Sequence, residues 1–374
     1  MSVILLIIGL ILFVGLVVVH EYGHFIAARR NGVEVEEFGI GFPPRAKLLT
    51  KKNGTEYTLN WLPLGGFVKL KGEHDADTQK GTFGAASLKT KVKIMLAGVG
   101  MNLLAAFIIF TLSALVGLPK LIENQFTVAS DTRVTNQKLL VGFVEPDSPA
   151  SKAGLAVRDE LVAIKADSQS YAVNSAEKLP EVTKKLAGQA VELQVNRGGD
   201  LVALATTLRS EQEVSVSKHS NTPKGYLGIS PTEYALQRST WSAPIVSLGL
   251  IKQFTELTLK GLGTAITGLA QGNGKQASEQ VSGPVGIFVI FKEGSSLGYE
   301  FILLLIGLIS LTLAIMNVLP IPALDGGRLF VTLLFRAIRK PLREGTEDLI
   351  HGSGFALLMV LFVLITIVDI RRFF

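Results

Sequence analysis

The chain has 374 residues, of which 48% are hydrophobic and only 18% charged, with a mean hydropathy of +0.40. Soluble domains carry about 25% charged residues, so this composition excludes a wholly soluble protein, and its long uncharged runs exclude a disordered one. With no cysteine, disulfides, thiolate nucleophiles and Cys-based metal sites are excluded, while sites built from His and carboxylates are not. The net charge of +6 fits basic loops beside a membrane better than a nucleic-acid surface, and no nucleic-acid partner is expected.

Residues 1–19 carry no charge, and three more uncharged runs follow at 94–118, 301–324 and 352–368. A spanning helix needs about 20 apolar residues. Four spans are therefore predicted, the fourth being short. The first run lacks the basic start and small-residue cleavage site of a signal peptide, and Arg29 and Arg30 follow it. Residues 29–93 hold 12 basic against 7 acidic residues, whereas 119–230 hold 13 of each. The excess of positive charge places the first loop in the cytoplasm and the long second segment outside. Arg336, Arg339, Lys340 and Arg343, between the third and fourth runs, support this orientation; Arg371 and Arg372 oppose it mildly.

The span-ending sequence His20-Glu21-Tyr22-Gly23-His24 places two imidazoles four residues apart on one helix face. Two such rings can hold one metal ion, and Glu21 beside them can take a proton from an attacking water. Polar groups at the end of a spanning helix are costly unless they are used. A catalytic zinc takes three protein ligands. Only His74, His219 and His351 remain among the histidines, so a carboxylate is expected as the third. Asp325 follows 24 uncharged residues, after Pro320 and Pro322 break the helix. Spans one and three run in the same direction, which brings Asp325 to the membrane face that holds His20. Alone, Asp325 reads as a helix cap; beside the histidine pair it reads as the ligand.

Between the spans, Tyr57, Leu59 and Trp61 alternate with polar neighbours, predicting strand. Gly65-Gly66 interrupts it, and Phe67, Val68 and Leu70 resume. The sheet lies either on the surface or dips into the membrane, where irregular backbone survives only if covered or beside a wet cavity. Residues 125–230 predict a compact domain. Strands are expected at 140–144, 160–164, 190–195 and 201–207, with a short helix at 148–153 stopped by Gly154 and a second near 175–187. Leu140-Val141-Gly142-Phe143, followed by EPDSPASKAGL, resembles a PDZ domain, whose apolar–Gly–apolar turn exposes N–H groups to a peptide terminus. The usual Gly-Asp of such domains is replaced by Arg158-Asp159. The run 224–229 reads as a second such turn or as the strand closing the domain. Residues 237–271 predict an amphipathic helix at the membrane interface.

Together these residues resemble the site-2 protease family of intramembrane zinc metalloproteases, in its bacterial regulator branch with a single PDZ-like domain. HExxH stands in the first span and Asn317-Val-Leu-Pro320-Ile-Pro322-Ala-Leu324-Asp325-Gly326-Gly327 at the end of the third. The likeness also covers 32–43, 63–69 and 282–287. It implies a polytopic α-helical membrane protein with four spans, a membrane-associated β-loop, and one extracytoplasmic α+β PDZ-like domain, divided at 1–118, 119–230 and 231–374. It implies Zn2+ held by His20, His24 and Asp325, with Glu21 as general base. Asn317 and Asn102 would bind substrate, and Gly65, Gly66 and Phe67 would pair with an unwound substrate strand. Val99 stands where the family usually has Pro before the Gly of the Asn102 segment. The implied partners are single-span membrane proteins or remnant signal peptides, peptide termini or ectodomains at the PDZ-like domain, and the lipid bilayer. The implied location is the plasma (inner) membrane, with the active site near the cytoplasmic face. A metal-binding transporter and an inactive membrane scaffold are the alternatives from other classes.

Overall fold

The computed structural model describes residues 2–217 and 223–374. It divides into two compact units, one running to Val116 with Phe126–Val128 and Trp241–Phe374, the other Gly117–Gln125 with Ala129–Thr240.

In the first unit, α1 (Ser2–Arg30) continues unbroken through the histidine motif, ending in Arg29 and Arg30. Strands β1 (Val35–Lys52) and β2 (Thr55–Leu70) form an antiparallel hairpin. Asn53 and Gly54 both have positive φ at its tip, as a two-residue turn between right-twisted strands requires. β2 doubles back: residues 37–40 of β1 pair with 56–59 on one edge and with 66–69 on the other. The alternation read at 57–61 holds, but the buried face is the polar one. Thr58 and Asn60 are buried, their side chains donating to Glu37 Oε1 at 2.6 Å and to the Gly41 carbonyl at 3.1 Å, while Trp61 is 71% exposed.

Helix α2 (Leu88–Val116) packs against α1. The second unit contributes β3 (Leu118–Pro119), β4 (Arg133–Val144), α3 (Pro149–Lys152), β5 (Glu160–Ala166), β6 (Gln169–Ala172), α4 (Lys178–Lys185), β7 (Ala190–Arg197), β8 (Asp200–Thr207), α5 (Glu211–Ser217) and β9 (Ile229–Arg238). Its sheet runs β3-β9-β4-β5-β7-β8, with β6 on β5, over a core that includes Leu139, Val141, Ile164, Leu193 and Leu227. Ser148 caps α3 by accepting from the Ser151 N–H. Arg158 takes φ +75°, the conformation a glycine would adopt freely. Asp159 stays buried, accepting from the Ala156 N–H at 2.8 Å and from Arg197 Nη2 at 2.6 Å. β9 carries this unit past residue 230, so the expected boundary there falls inside a strand.

The chain returns to the first unit with α6 (Ala243–Ala270), α7 (Gly274–Glu279), α8 (Pro284–Gly294), α9 (Tyr299–Val318), α10 (Asp325–Ala337) and α11 (Glu344–Phe373). α6 packs on α2, with Ser247 Oγ donating to the Phe107 carbonyl and Phe254 against Phe110. Among the described residues, four helices are long and apolar enough to cross a membrane: α1 from Val3, α2, α9 and α11. This is a multi-pass membrane protein. α9 stops at Val318, short of the uncharged run, because Pro320 and Pro322 cannot continue it.

Candidate active site

His20 and His24 lie one turn apart on α1, buried against α2. Their Nε2 atoms are 3.1 Å apart. Asp325 Oδ2, from the first residue of α10, stands 3.1 Å from each. Three ligand atoms thus form an equilateral triangle. The far side of each ring is fixed by α2: His24 Nδ1 is 2.8 Å from the Ile94 carbonyl, to which it donates, leaving a lone pair on Nε2. Asn102, wholly buried, lies 3.2 Å from His20 Nδ1 through its amide end. Its Oδ1 is otherwise without a partner. Turning the amide over exchanges two atoms of near-identical shape. Oδ1 then accepts from His20 Nδ1–H, and the second Nε2 also presents a lone pair.

This donor set fits a zinc ion. Asp325 Oδ2 is buried and receives no hydrogen bond despite its two close neighbours. Three acceptors converging without a proton between them repel unless a cation joins them. Ligand atoms around a tetrahedral ion with bonds of about 2.0 Å stand about 3.3 Å apart, near the observed spacing. The outward nitrogens are held by a carbonyl and an amide, the supports that orient metal-binding histidines.

Asp325 reaches this place through a tight loop. After α9, Leu319 is extended, Ala323 has φ +78°, and the Leu324 N–H returns to the Ile321 carbonyl at 3.1 Å. A Cβ at Gly326 would come within 2.5 Å of the Leu319 carbonyl oxygen, and one at Gly327 would overlap that of Ile321. Only a glycine pair lets α10 fold back so closely.

Glu21, His24, Glu73, Phe83, Asp325 and Arg328 line a cavity of about 110 Å³. The Val68 backbone faces the Glu21 carboxylate, and the Leu70 N–H donates to Glu73 Oε1 at 2.9 Å. Both groups therefore point away from β1. Strand alternation then turns Phe67 toward Gly39, its partner in β1. Among the expected strand-pairing positions, Phe67 thus faces the hairpin, while Gly66 and Val68 face the site; Gly65, at φ +113°, is the bend before them. Beyond its pairing with β1, this edge has no strand partner among the described residues.

Other expected residues fall elsewhere. Asn102 sits against His20 Nδ1, across the ring from the Nε2 that faces Asp325. Asn317 Nδ2 donates to the Leu313 carbonyl of its own helix. Leu140, Val141, Gly142 and Phe143 form strand within β4, not a turn. Val141 pairs with Pro231 on one side, and its N–H donates to the Asp159 carbonyl on the other, so the expected peptide-binding turn is absent there. The run 224–229 contains a turn, with Gly228 at φ +79°, and leads into β9. His74 pairs with Asp348 and Glu344 at an exposed position, and His219 lies outside the described residues. Sequence reasoning missed Arg328, which lines the cavity, and Gly98, whose place between the histidines no local pattern signals.

The family model for peptidase family M50 matches residues 8–361. A Clostridium perfringens protein named "Putative zinc metalloprotease CPE1693" is 34% identical over 373 residues, covering 98% of each chain. "Zinc metalloprotease RasP" of Geobacillus kaustophilus is 26% identical, covering 98% of this chain and 97% of its own. "Probable protease eep" of Enterococcus faecalis is 26% identical, covering 98% of both.

Proposed function

This chain belongs to peptidase family M50, and on that premise we propose that it is an intramembrane zinc metalloendopeptidase acting on transmembrane segments of other membrane proteins. The observation that carries this reading is the 3.1 Å triangle of His20, His24 and Asp325, at the end of a helix apolar enough to span a membrane. When bound, zinc supplies Lewis acidity toward a peptide carbonyl and toward water.

The protein's own groups do the rest. His20 and His24 keep their Nδ1 protons on Asn102 and Ile94, so both present lone pairs to the metal. Glu21 is the general base: it shares the cavity with His24 and Asp325, takes the proton of the attacking water and delivers it to the leaving amine. A helical substrate hides its peptide bonds in its own hydrogen bonds and must first be stretched. The edge at Gly66 and Val68, which pairs with no strand other than β1 among the described residues, accepts such a strand beside Glu21. Asn317, at the end of α9, is assigned a substrate contact through its Oδ1.

The basic loop 29–93 supports a site near the cytoplasmic face of the plasma membrane. The neutral soluble unit then lies outside, as a PDZ-like filter on substrate ectodomains or peptide termini. Exposed Phe42, Leu49, Trp61 and Leu62 on the hairpin suit a loop that meets the bilayer. Single-span proteins and remnant signal peptides are the substrate classes.

The test is cleavage of a single-span membrane substrate by the purified, zinc-loaded chain. Glu21→Gln is expected to keep one zinc and lose activity by about 10²-fold to 10⁴-fold, whereas His20→Ala, His24→Ala and Asp325→Ala lose the metal. Full activity in Glu21→Gln would remove Glu21 from its role.

A further inference from the structure

The last helix touches the loop that delivers Asp325 at two points on one face. The Ala323 N–H donates to His351 Nδ1 at 3.3 Å. One turn on, a Cβ at Gly354 would overlap Pro322 Cβ and come within 2.7 Å of the Pro322 carbonyl oxygen, so the α11 backbone lies directly on Pro322. Ala323 is held at φ +78°, a conformation that L side chains adopt only when the surroundings impose it. Asp325 follows two residues later. His351 itself is no ligand: it does not join the cluster of His20, His24 and Asp325, and its Nδ1 is engaged by Ala323.

We propose that His351 is a positioning residue: by holding Ala323 in its left-handed conformation it aims Asp325 at the two histidines, so that docking of α11 completes the metal centre. The ring's own hydrogen bonding supports this. Because Nδ1 accepts, the proton sits on Nε2, which is buried without a partner. A buried donor left unpaired is unfavourable, and a leucine there would avoid it. What a leucine lacks is the acceptor that the Ala323 N–H requires. Elsewhere α11 meets α10 through Glu347 Oε1, 3.9 Å from Arg328 Nε, while its middle exposes Phe355, Leu357, Val360 and Phe362. A movement of α11 away from Pro322 would therefore release the third ligand while leaving both histidines on α1 in place.

This inference rests on Asp325 being a zinc ligand, and the experiment separates the two. The full-length protein in detergent is loaded with zinc, and its release to a chromogenic chelator is timed. His351→Leu is expected to release zinc about 10-fold to 100-fold faster than wild type, the range for lost supports of metal ligands. His351→Asn, whose Oδ1 occupies the position of Nδ1, restores slow release; His351→Gln, whose acceptor lies further out, does not. Gly354→Ala, which pushes α11 off Pro322 without touching His351, also speeds release. Wild-type release from His351→Leu, or equally fast release from all three His351 variants, overturns the positioning role. If His351→Leu does not fold, Gly354→Ala with wild-type release does the same. Retention of stoichiometric zinc by Asp325→Ala would instead remove Asp325 from the ligand set.

Discussion

Gly98 of α2 lies where any side chain would enter the space between the two histidines: a Cβ there would overlap His24 Nε2 and stand 2.7 Å from His20 Nε2. The approach is mutual, because a Cβ at Gly23 would stand 2.6 Å from the Ala97 carbonyl oxygen. The two helices thus come close together at the level of His20 and His24.

Gly98→Ala is therefore expected to displace an imidazole and abolish zinc binding, with cleavage reduced at least about 100-fold. Helix content should be unchanged, since alanine is the better helix former. Zinc content by atomic absorption, with circular dichroism on the same sample, checks this. Stoichiometric zinc in Gly98→Ala would mean that the rings have room to spare.

The histidine pair and Asp325 are legible in the sequence because each is a local signal: a fixed spacing on a helix, and a carboxylate after a proline-broken apolar run. The spans are legible for the same reason, and so are parts of β4, β5, β7 and β8 and the short helix near 148–153. What was not legible depends on which elements meet. Asn102 carries no mark that distinguishes a partner of His20 from a substrate contact. The apolar-Gly-apolar pattern at 140–143 suits a turn or a strand equally, and pairing with β9 and with Asp159 decides for strand. The direction of Phe67 is set by register with β1, and a one-residue shift would reverse it.

Lys91 is wholly buried, its ammonium bonded to Asp75 Oδ1 and 5.5 Å from the centre of the Phe83 ring. Removing one member of such a pair strands the other. Lys91→Met should destabilise the protein by about 3 to 5 kcal/mol, and the double variant Lys91→Met with Asp75→Asn should recover much of that loss. Thermal unfolding in detergent reads both. Additive losses in the double variant would show that the two groups act independently.

His74 joins the segment after β2 to the start of α11, 3.0 Å from Asp348 Oδ1 and 3.6 Å from Glu344 Oε1. Burial acts to lower its pKa, but the hydrogen bond to Asp348 and the charges of Asp348, Glu344 and Glu347 outweigh it, and the pKa is raised. A raised folded value stabilises the fold fully below the unfolded pKa of about 6.5 and loses that contribution as pH rises through the folded value. The melting temperature of the wild type should therefore fall relative to His74→Ala as the pH rises from about 6 to about 9. A constant difference across that range would place the ring outside the ion pair.

Arg158 occupies a left-handed conformation at φ +75° beside Asp159, the buried carboxylate that ties the turn to Arg197. A glycine adopts this backbone without steric cost. Arg158→Gly is expected to stabilise the sheet-containing unit by about 1 kcal/mol, read as slower hydrogen exchange of β4 and β5 amides in the full chain. Faster exchange would show that the Arg158 side chain contributes more than its backbone costs.

The edge proposed to accept substrate leads to a test with a period. Gly66 and Val68 face the site, whereas Phe67 faces β1, so a strand added to this edge bonds through every second residue. N-methylation of a substrate peptide removes one backbone donor at a time. Scanned around the cut, it should suppress cleavage strongly at alternate positions and weakly between them. The same scan on a substrate weakened by Gly or Pro should keep the two-residue period while cutting faster throughout, because less helix must be unwound before the strand forms. Uniform tolerance of N-methyl groups at every position would exclude strand addition, leaving the hairpin edge as a wall of the cavity rather than a template.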